Sequence, residues 1–132
     1  MKLILDEPGS VRARSLWYEV DGAISTVALY AEARAAVAAA RRAGRLDHVT
    51  HRAGVGSLHE VWAKIESVEL TESLALRAGE LAETHALRGY DAIHLSSAEA
   101  VLDEGDVMVV SDERLASAAA SLGIEALIPA ES

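Results

Sequence analysis

Val107-Met108-Val109-Val110-Ser111-Asp112 reads as an apolar strand that runs straight into Ser and Asp. Its carboxyl end is the place where open α/β sheets bind ligands. Upstream, Arg88-Gly89-Tyr90-Asp91-Ala92-Ile93-His94 puts a second carboxylate in the opening turn of a helix. Two acids delivered to one edge of a sheet need a cation to hold them there. A hard divalent metal is the economical candidate.

Working outward from this pair, the chain alternates helix and strand. Met1 to Leu5 is a short apolar segment, ended by the turn Asp6-Glu7-Pro8-Gly9-Ser10 with Ser10 as N-cap. Val11 to Val20 reads as helix, Ala23 to Ser25 as strand, and Thr26 to Ala43 as an Ala-rich helix stopped by Gly44. Asp47 caps a further helix carrying Leu58, Val61, Trp62 and Ile65, with Gly54 and Gly56 as points of interruption. Val68 to Leu70 is strand, and Thr71-Glu72-Ser73 opens a helix to His85. Tyr90 to Leu102 is helix, Val107 to Val110 strand, Asp112 to Leu122 helix and Ile124 to Ile128 strand. Strands separated by helices imply βαβ units and a mainly parallel sheet covered on both faces. Residues 1–132 carry no repeat, linker or low-complexity tract, which describes a single domain.

Composition narrows the function classes. With no Phe, two Trp and three Tyr, the interior is built from Ala, Val, Leu and Ile. No apolar run approaches a membrane span and no secretory signal is recognisable. Cysteine is absent, which excludes disulfides and thiolate metal sites and makes the cytoplasm the expected compartment. A formal charge of −9 argues against a protein that coats nucleic acid non-specifically and favours a basic partner. It leaves room for a nuclease whose site brings its own metal charge. Nucleophile-elbow and phosphate-binding glycine motifs are both missing.

Three acids stand out, each with an ordinary explanation beside the functional one. Glu32, in Tyr30-Ala31-Glu32-Ala33-Arg34-Ala35-Ala36, would usually be a solvated helix residue. Its neighbours one turn away are Leu29, Ala35, Ala28 and Ala36, so it lacks a helical ion pair and sits at the rim of an apolar stripe. Asp91 suits the positive end of its helix, yet its flanks Tyr90, Ala92 and Ile93 look buried. Asp112, between strand and helix, is an N-cap on its own merits. Together, three carboxylates on three elements resemble the acidic cluster of a metal-dependent phosphodiesterase, which binds Mg²⁺ or Mn²⁺ and activates a water.

At these residues the chain resembles the PIN-domain ribonucleases of the VapC toxin family. The matching segments are Leu5 to Ser10, Tyr30 to Ala36, Leu87-Arg88-Gly89-Tyr90-Asp91-Ala92-Ile93-His94-Leu95 and Val110-Ser111-Asp112-Glu113-Arg114-Leu115, in family order. The resemblance implies a three-layer α/β/α sandwich, Mg²⁺-dependent RNA cleavage, a homodimer and a cognate VapB-type antitoxin. Glu32, Asp91 and Asp112 match three of the family's usual four acids, and Asp91 is the residue expected to touch metal directly.

The fourth acid is expected at the end of a first strand. The resemblance aligns Met1-Lys2-Leu3-Ile4-Leu5 with the later part of the helix that follows that strand, so the strand and its Asp are expected to be missing and Met1 to be an internal start. Asp6 aligns with the turn, not with the lost acid. A binding module that keeps the antitoxin groove without chemistry is therefore the alternative function. Arg34 and Arg88 are candidate RNA-phosphate ligands. His94, one turn beyond Asp91, reads as a packed, hydrogen-bonded histidine, and Asp47-His48-Val49-Thr50-His51 lacks a third ligand for zinc. Ser25 and Ser111 are placed to orient a carboxylate or water.

Overall fold

The computed structural model describes residues 2–5, 22–44, 47–110 and 112–128. Within them, β1 (Lys2–Leu5), β2 (Gly22–Thr26), β3 (Ile65–Val68), β4 (Val107–Val109) and β5 (Glu125–Leu127) form one parallel sheet in the order β3-β2-β1-β4-β5. Parallel neighbours need crossovers. Among the described residues these are α1 (Ala28–Arg42), α2 (His48–Trp62), α3 (Glu72–His85), α4 (Gly89–Val101) and α5 (Glu113–Ser121).

Local chemistry explains most of the boundaries. The Ala-rich α1 has high helix propensity and closes on Arg41 and Arg42, cations suited to the negative end of its dipole. Asp47 caps α2 by accepting the Thr50 amide at 2.7 Å, and this bond holds its carboxyl below the usual carboxylate range. Gly54 and Gly56 do not interrupt α2. A Cβ at Gly54 would meet Val37 Cγ1 at 3.6 Å, so the helix continues where α1 packs against it. Thr71 caps α3 through the Leu74 amide at 3.2 Å, and Ala86 ends it in the left-handed region at φ 54°.

The strands correct two further sequence expectations, and two others fall outside the described residues. The centre of the sheet, expected to lack a strand, is filled by Lys2–Leu5, which pairs Ile4 with Ile24 on one side and Met108 on the other. Strands β2 and β4 each need a ladder partner for their inward amides and carbonyls, and this segment supplies it. The third strand runs from Ile65 to Val68 rather than over Val68 to Leu70. Apolar spacing alone groups Ile65 with α2, because it lies one turn beyond Val61. The helix expected over Val11 to Val20, and the turn at Asp6 to Ser10, lie outside the described residues.

The strand order places α1 and α2 on one face and α3, α4 and α5 on the other when crossovers are right-handed. The main core lies on the second face. Leu81, Leu95, Ala98, Met108, Val110, Leu115, Ala118 and Ala119 form one buried cluster joining α3, α4 and α5 to β4. Every residue of β4 is buried, as a central parallel strand requires. Arg77 clamps α3 to α4 with two bonds to Glu99, at 2.8 and 2.9 Å. The result is the expected α/β/α sandwich.

This topology positions the site. From β1 the strand order steps one way to β2 and the other way from β4 to β5, so the switch point lies between β1 and β4. Helices α1 and α5 follow strands, and α4 begins a return toward β4. All three therefore start at the carboxyl edge of the sheet, carrying Glu32, Asp112 and Asp91 respectively.

Candidate metal centre

Asp91 sits in the first turn of α4 and is 5% exposed. Arg88, the N-cap residue of that helix, donates from Nε to Asp91 Oδ2 at 3.1 Å. The carboxylate is thus buried but charge-paired, while the guanidinium that pairs it faces solvent. Asp112 is the N-cap of α5, where its Oδ1 accepts the Leu115 amide at 2.8 Å. Capping does not remove it from the site. Leu87, Arg88, Asp91, Asp112, Glu113 and Arg114 line a common cleft of about 380 Å³.

Glu32 is exposed, not held at the rim of an apolar surface as its neighbours suggested. The buried positions of α1 are Leu29 and Ala33, and Glu32 turns away from them. Its charge nonetheless reaches the cleft. The Arg88 guanidinium is held in its charged form above the usual range, first by its bond to Asp91, then by the Asp91 charge, and further by the charges of Asp112 and Glu32. Asp91 is the carboxylate bonded to Arg88, Asp112 shares its cleft, and Glu32 does not line that cleft.

The donors are carboxylate oxygens, which suit a hard divalent ion. Among the described residues, no three His, Cys, Asp or Glu side chains stand close enough to hold a metal ion by themselves. That is compatible with Mg²⁺, which is commonly bound by one or two carboxylates with water and substrate phosphate completing the shell. The Asp47 to His51 segment forms no such cluster either; Asp47 is a helix cap.

The remaining expectations divide. Arg88 lies in the cleft, but Arg34 does not line it; Arg34 donates from Nη1 to the Tyr30 hydroxyl at 2.9 Å. Ser25 is fully buried at the carboxyl edge of β2, and Ser111 lies outside the described residues. Two residues escaped the sequence reading. Arg114 lines the cleft and donates to the Ala86 carbonyl at 3.2 Å, tying the end of α3 to the start of α5. Thr26, the last residue of β2, is 1% exposed with no hydrogen-bond partner for Oγ1 among the described residues. A hydroxyl ending a strand at the ligand-binding edge was the available signal.

His94 is packed, as expected, but makes no hydrogen bond among the described residues. It is fully buried beside Tyr90, whose ring stacks on it at 6.3 Å, and neither ring nitrogen has a partner among the described residues. Burial pushes its pKa down to about 3 from 6.5. Between those values the unfolded chain binds the proton that the folded chain refuses. Stability is therefore full above pH 6.5 and falls as the pH drops toward 3. In urea titrations across that window, His94→Leu should lose less stability with acid than the parent; an unchanged pH dependence would refute the assignment.

Asp112 carries two roles that substitutions can separate. Asp112→Ser keeps a good cap and removes the charge, so stability should stay within about 0.5 kcal/mol while Mn²⁺ affinity drops. Asp112→Ala should lose both, costing about 1 kcal/mol in urea denaturation. Equal Mn²⁺ binding by parent and Asp112→Ser, measured by calorimetry, would leave Asp112 as a cap alone.

Comparison with known proteins agrees with this architecture. The PIN domain family matches residues 1–121. Ribonuclease VapC45 of Mycobacterium tuberculosis (strain CDC 1551 / Oshkosh) is 43% identical over 123 residues, covering 93% of this chain and 85% of that protein. Ribonuclease VapC49 of strain ATCC 25618 / H37Rv matches to the same extent. Among solved structures, PAE2754 from Pyrobaculum aerophilum aligns with a TM-score of 0.66 at 20% identity, over 89% of this chain and 84% of that one. VapBC2 from Rickettsia felis, bound to a DNA fragment from their promoter, aligns with a TM-score of 0.60 at 14% identity, over 96% of this chain and 98% of that one. At such identities these two structures speak for the fold alone.

Proposed function

Because this chain belongs to the VapC family of PIN-domain proteins, we propose that it is the ribonuclease toxin of a toxin–antitoxin pair and hydrolyses RNA phosphodiesters at the Asp91–Asp112 cleft. The observation that supports this reading is the cleft that Asp91 and Asp112 share at the starts of two helices, with Arg88 bonded to Asp91. Its other components are Mg²⁺ or Mn²⁺ as cofactor, a VapB-type antitoxin as partner, a homodimer and a cytoplasmic setting. Among the described residues no helix is long and apolar enough to cross a membrane.

Asp91 and Asp112 are the carboxylates that would hold the ion, with Glu32 as the third contributor. A divalent ion at this place supplies an activated water and neutralises charge gathering on the attacked phosphate. The chain does the positioning. Asp112 is kept in one orientation by the Leu115 amide, and Asp91 by the α4 turn and Arg88. Arg88 and Arg114 flank the cleft and offer guanidinium groups to the phosphates on either side.

The second reading is the binding module that retains the partner surface without chemistry, favoured by the absence of a three-acid cluster among the described residues. One assay separates the two. RNA cleavage by the purified chain that appears with Mn²⁺ and disappears with EDTA supports the ribonuclease. Cleavage that persists in EDTA overturns the metal dependence. Antitoxin binding with no cleavage under either condition supports the binding module.

A further inference from the structure

The charges of this chain are segregated. From Ala28 to Lys64 there are six Lys and Arg against three Asp and Glu, whereas from Ile65 to Ser132 there are three against fourteen. Among the described residues, the region suited to a polyanion is the α1–α2 hairpin. The cations of the two regions also differ in their partners. Arg77 and Arg88 in the acidic region are ion-paired. Arg34, Arg41, Arg42, Arg52 and Lys64 are exposed and make no ion pair with another described residue.

Their arrangement follows helical spacing. Tyr30, Arg34 and Arg41 fall on one stripe of α1, about one and about three turns along from the first. His48, Arg52 and His59 fall on one stripe of α2. The stripes border the same seam, because the Tyr30 hydroxyl meets His59 Nε2 at 2.7 Å and Val37 faces Gly54. The rings of Tyr30 and His59 stack at 5.7 Å, Trp62 lies 5.6 Å from Tyr30, and the Arg34 guanidinium sits over the Tyr30 ring at 5.9 Å. Interaction with the helix dipole accounts for Arg41 and Arg42 at the end of α1, but not for Arg34 or Arg52 in helix interiors. Exposed cations interleaved with aromatic rings are the surface that single-stranded nucleic acid uses, by phosphate pairing and base stacking.

We propose that the α1–α2 seam is the RNA-docking track of this protein, with Arg34, Arg41 and Arg52 on phosphates and the Tyr30–His59–Trp62 group beside a base. The proposal rests on the ribonuclease reading and deepens it. It places substrate affinity on a surface distinct from the cleft, while Glu32 on α1 joins the two.

The test measures binding separately from cleavage. A fluorescein-labelled single-stranded RNA is titrated with the Asp91→Asn protein and with Asp91→Asn carrying Arg41→Gln and Arg52→Gln, at several salt concentrations. The added changes should weaken binding at least tenfold and flatten the plot of log K against log salt by about 1.4, since each lost phosphate contact on a single strand is worth about 0.7. Matching urea midpoints show that the fold is kept. Unchanged affinity and slope overturn the proposal, as does a parent that binds no RNA. Loss of antitoxin binding with RNA affinity unchanged overturns it in favour of a protein-binding seam. If instead RNA binding behaves as expected but the wild-type chain never cleaves, the ribonuclease reading fails and the docking track stands.

Discussion

Asp91→Asn should reduce Mn²⁺-dependent RNA cleavage by at least about a hundredfold, the loss seen when one group aimed at transition-state charge is removed. The substitution is nearly isosteric, so it tests charge rather than packing. Asp91 is 5% exposed, and its carboxylate accepts from Arg88 Nε at 3.1 Å. With Asn, the guanidinium loses its closest anion and the cleft loses its most buried negative charge. Calorimetric titration with Mn²⁺ should show a matching fall in affinity, with the urea midpoint little changed because Arg88 is largely solvated. Cleavage that survives at wild-type rates would remove Asp91 from the metal site.

Leu95→Ala should cost about 2–5 kcal/mol in urea denaturation. Leu95 is fully buried and stands in the cluster that joins α3, α4 and α5 to β4. Its neighbours there include Ala98, Ala118 and Ala119, whose short side chains cannot swing in to fill the gap. A loss of that size is a large share of the about 5–15 kcal/mol that a domain typically has. Because Asp91 lies one turn before Leu95 on α4, cleavage should decline along with stability. Leu76→Ala on α3, at a site 65% exposed, should change stability by no more than about 0.5 kcal/mol. Similar losses for both would contradict the placement of the core.

The elements that were legible in the sequence are those whose signals agree. β4 is a buried apolar run followed by a capping Asp, and α3, capped by Thr71, runs to His85 as its periodicity indicates. Lys2–Leu5 was misread because four residues are too few to show a period, so alignment with a family helix decided the matter. β3 was displaced because Ile65 continues the apolar spacing of α2, and only pairing with Ala23 reveals it as strand. In the site, the starts of two helices are readable as carboxylate positions, Asp91 and Asp112. Glu32 was given too much burial, since neighbours one turn away do not state which side of an Ala-rich helix meets the sheet. The Arg88–Asp91 bond is local and open to sequence reasoning; the cleft shared by Asp91 and Asp112 depends on strand order. The unpaired state of His94 depends on every element packed around it.

The cap at Asp112 bears on how the cleft meets its ligand. With Oδ1 tied to the Leu115 amide, this side chain is frozen into one rotamer before anything binds. Immobilising a side chain on binding otherwise costs about 0.5–1.5 kcal/mol. At Asp112 that entropy is already lost when α5 folds, so the cleft is preorganised on one wall. In the same cleft the Asp91 carboxylate is held by a solvent-exposed arginine, which a stronger cation can displace.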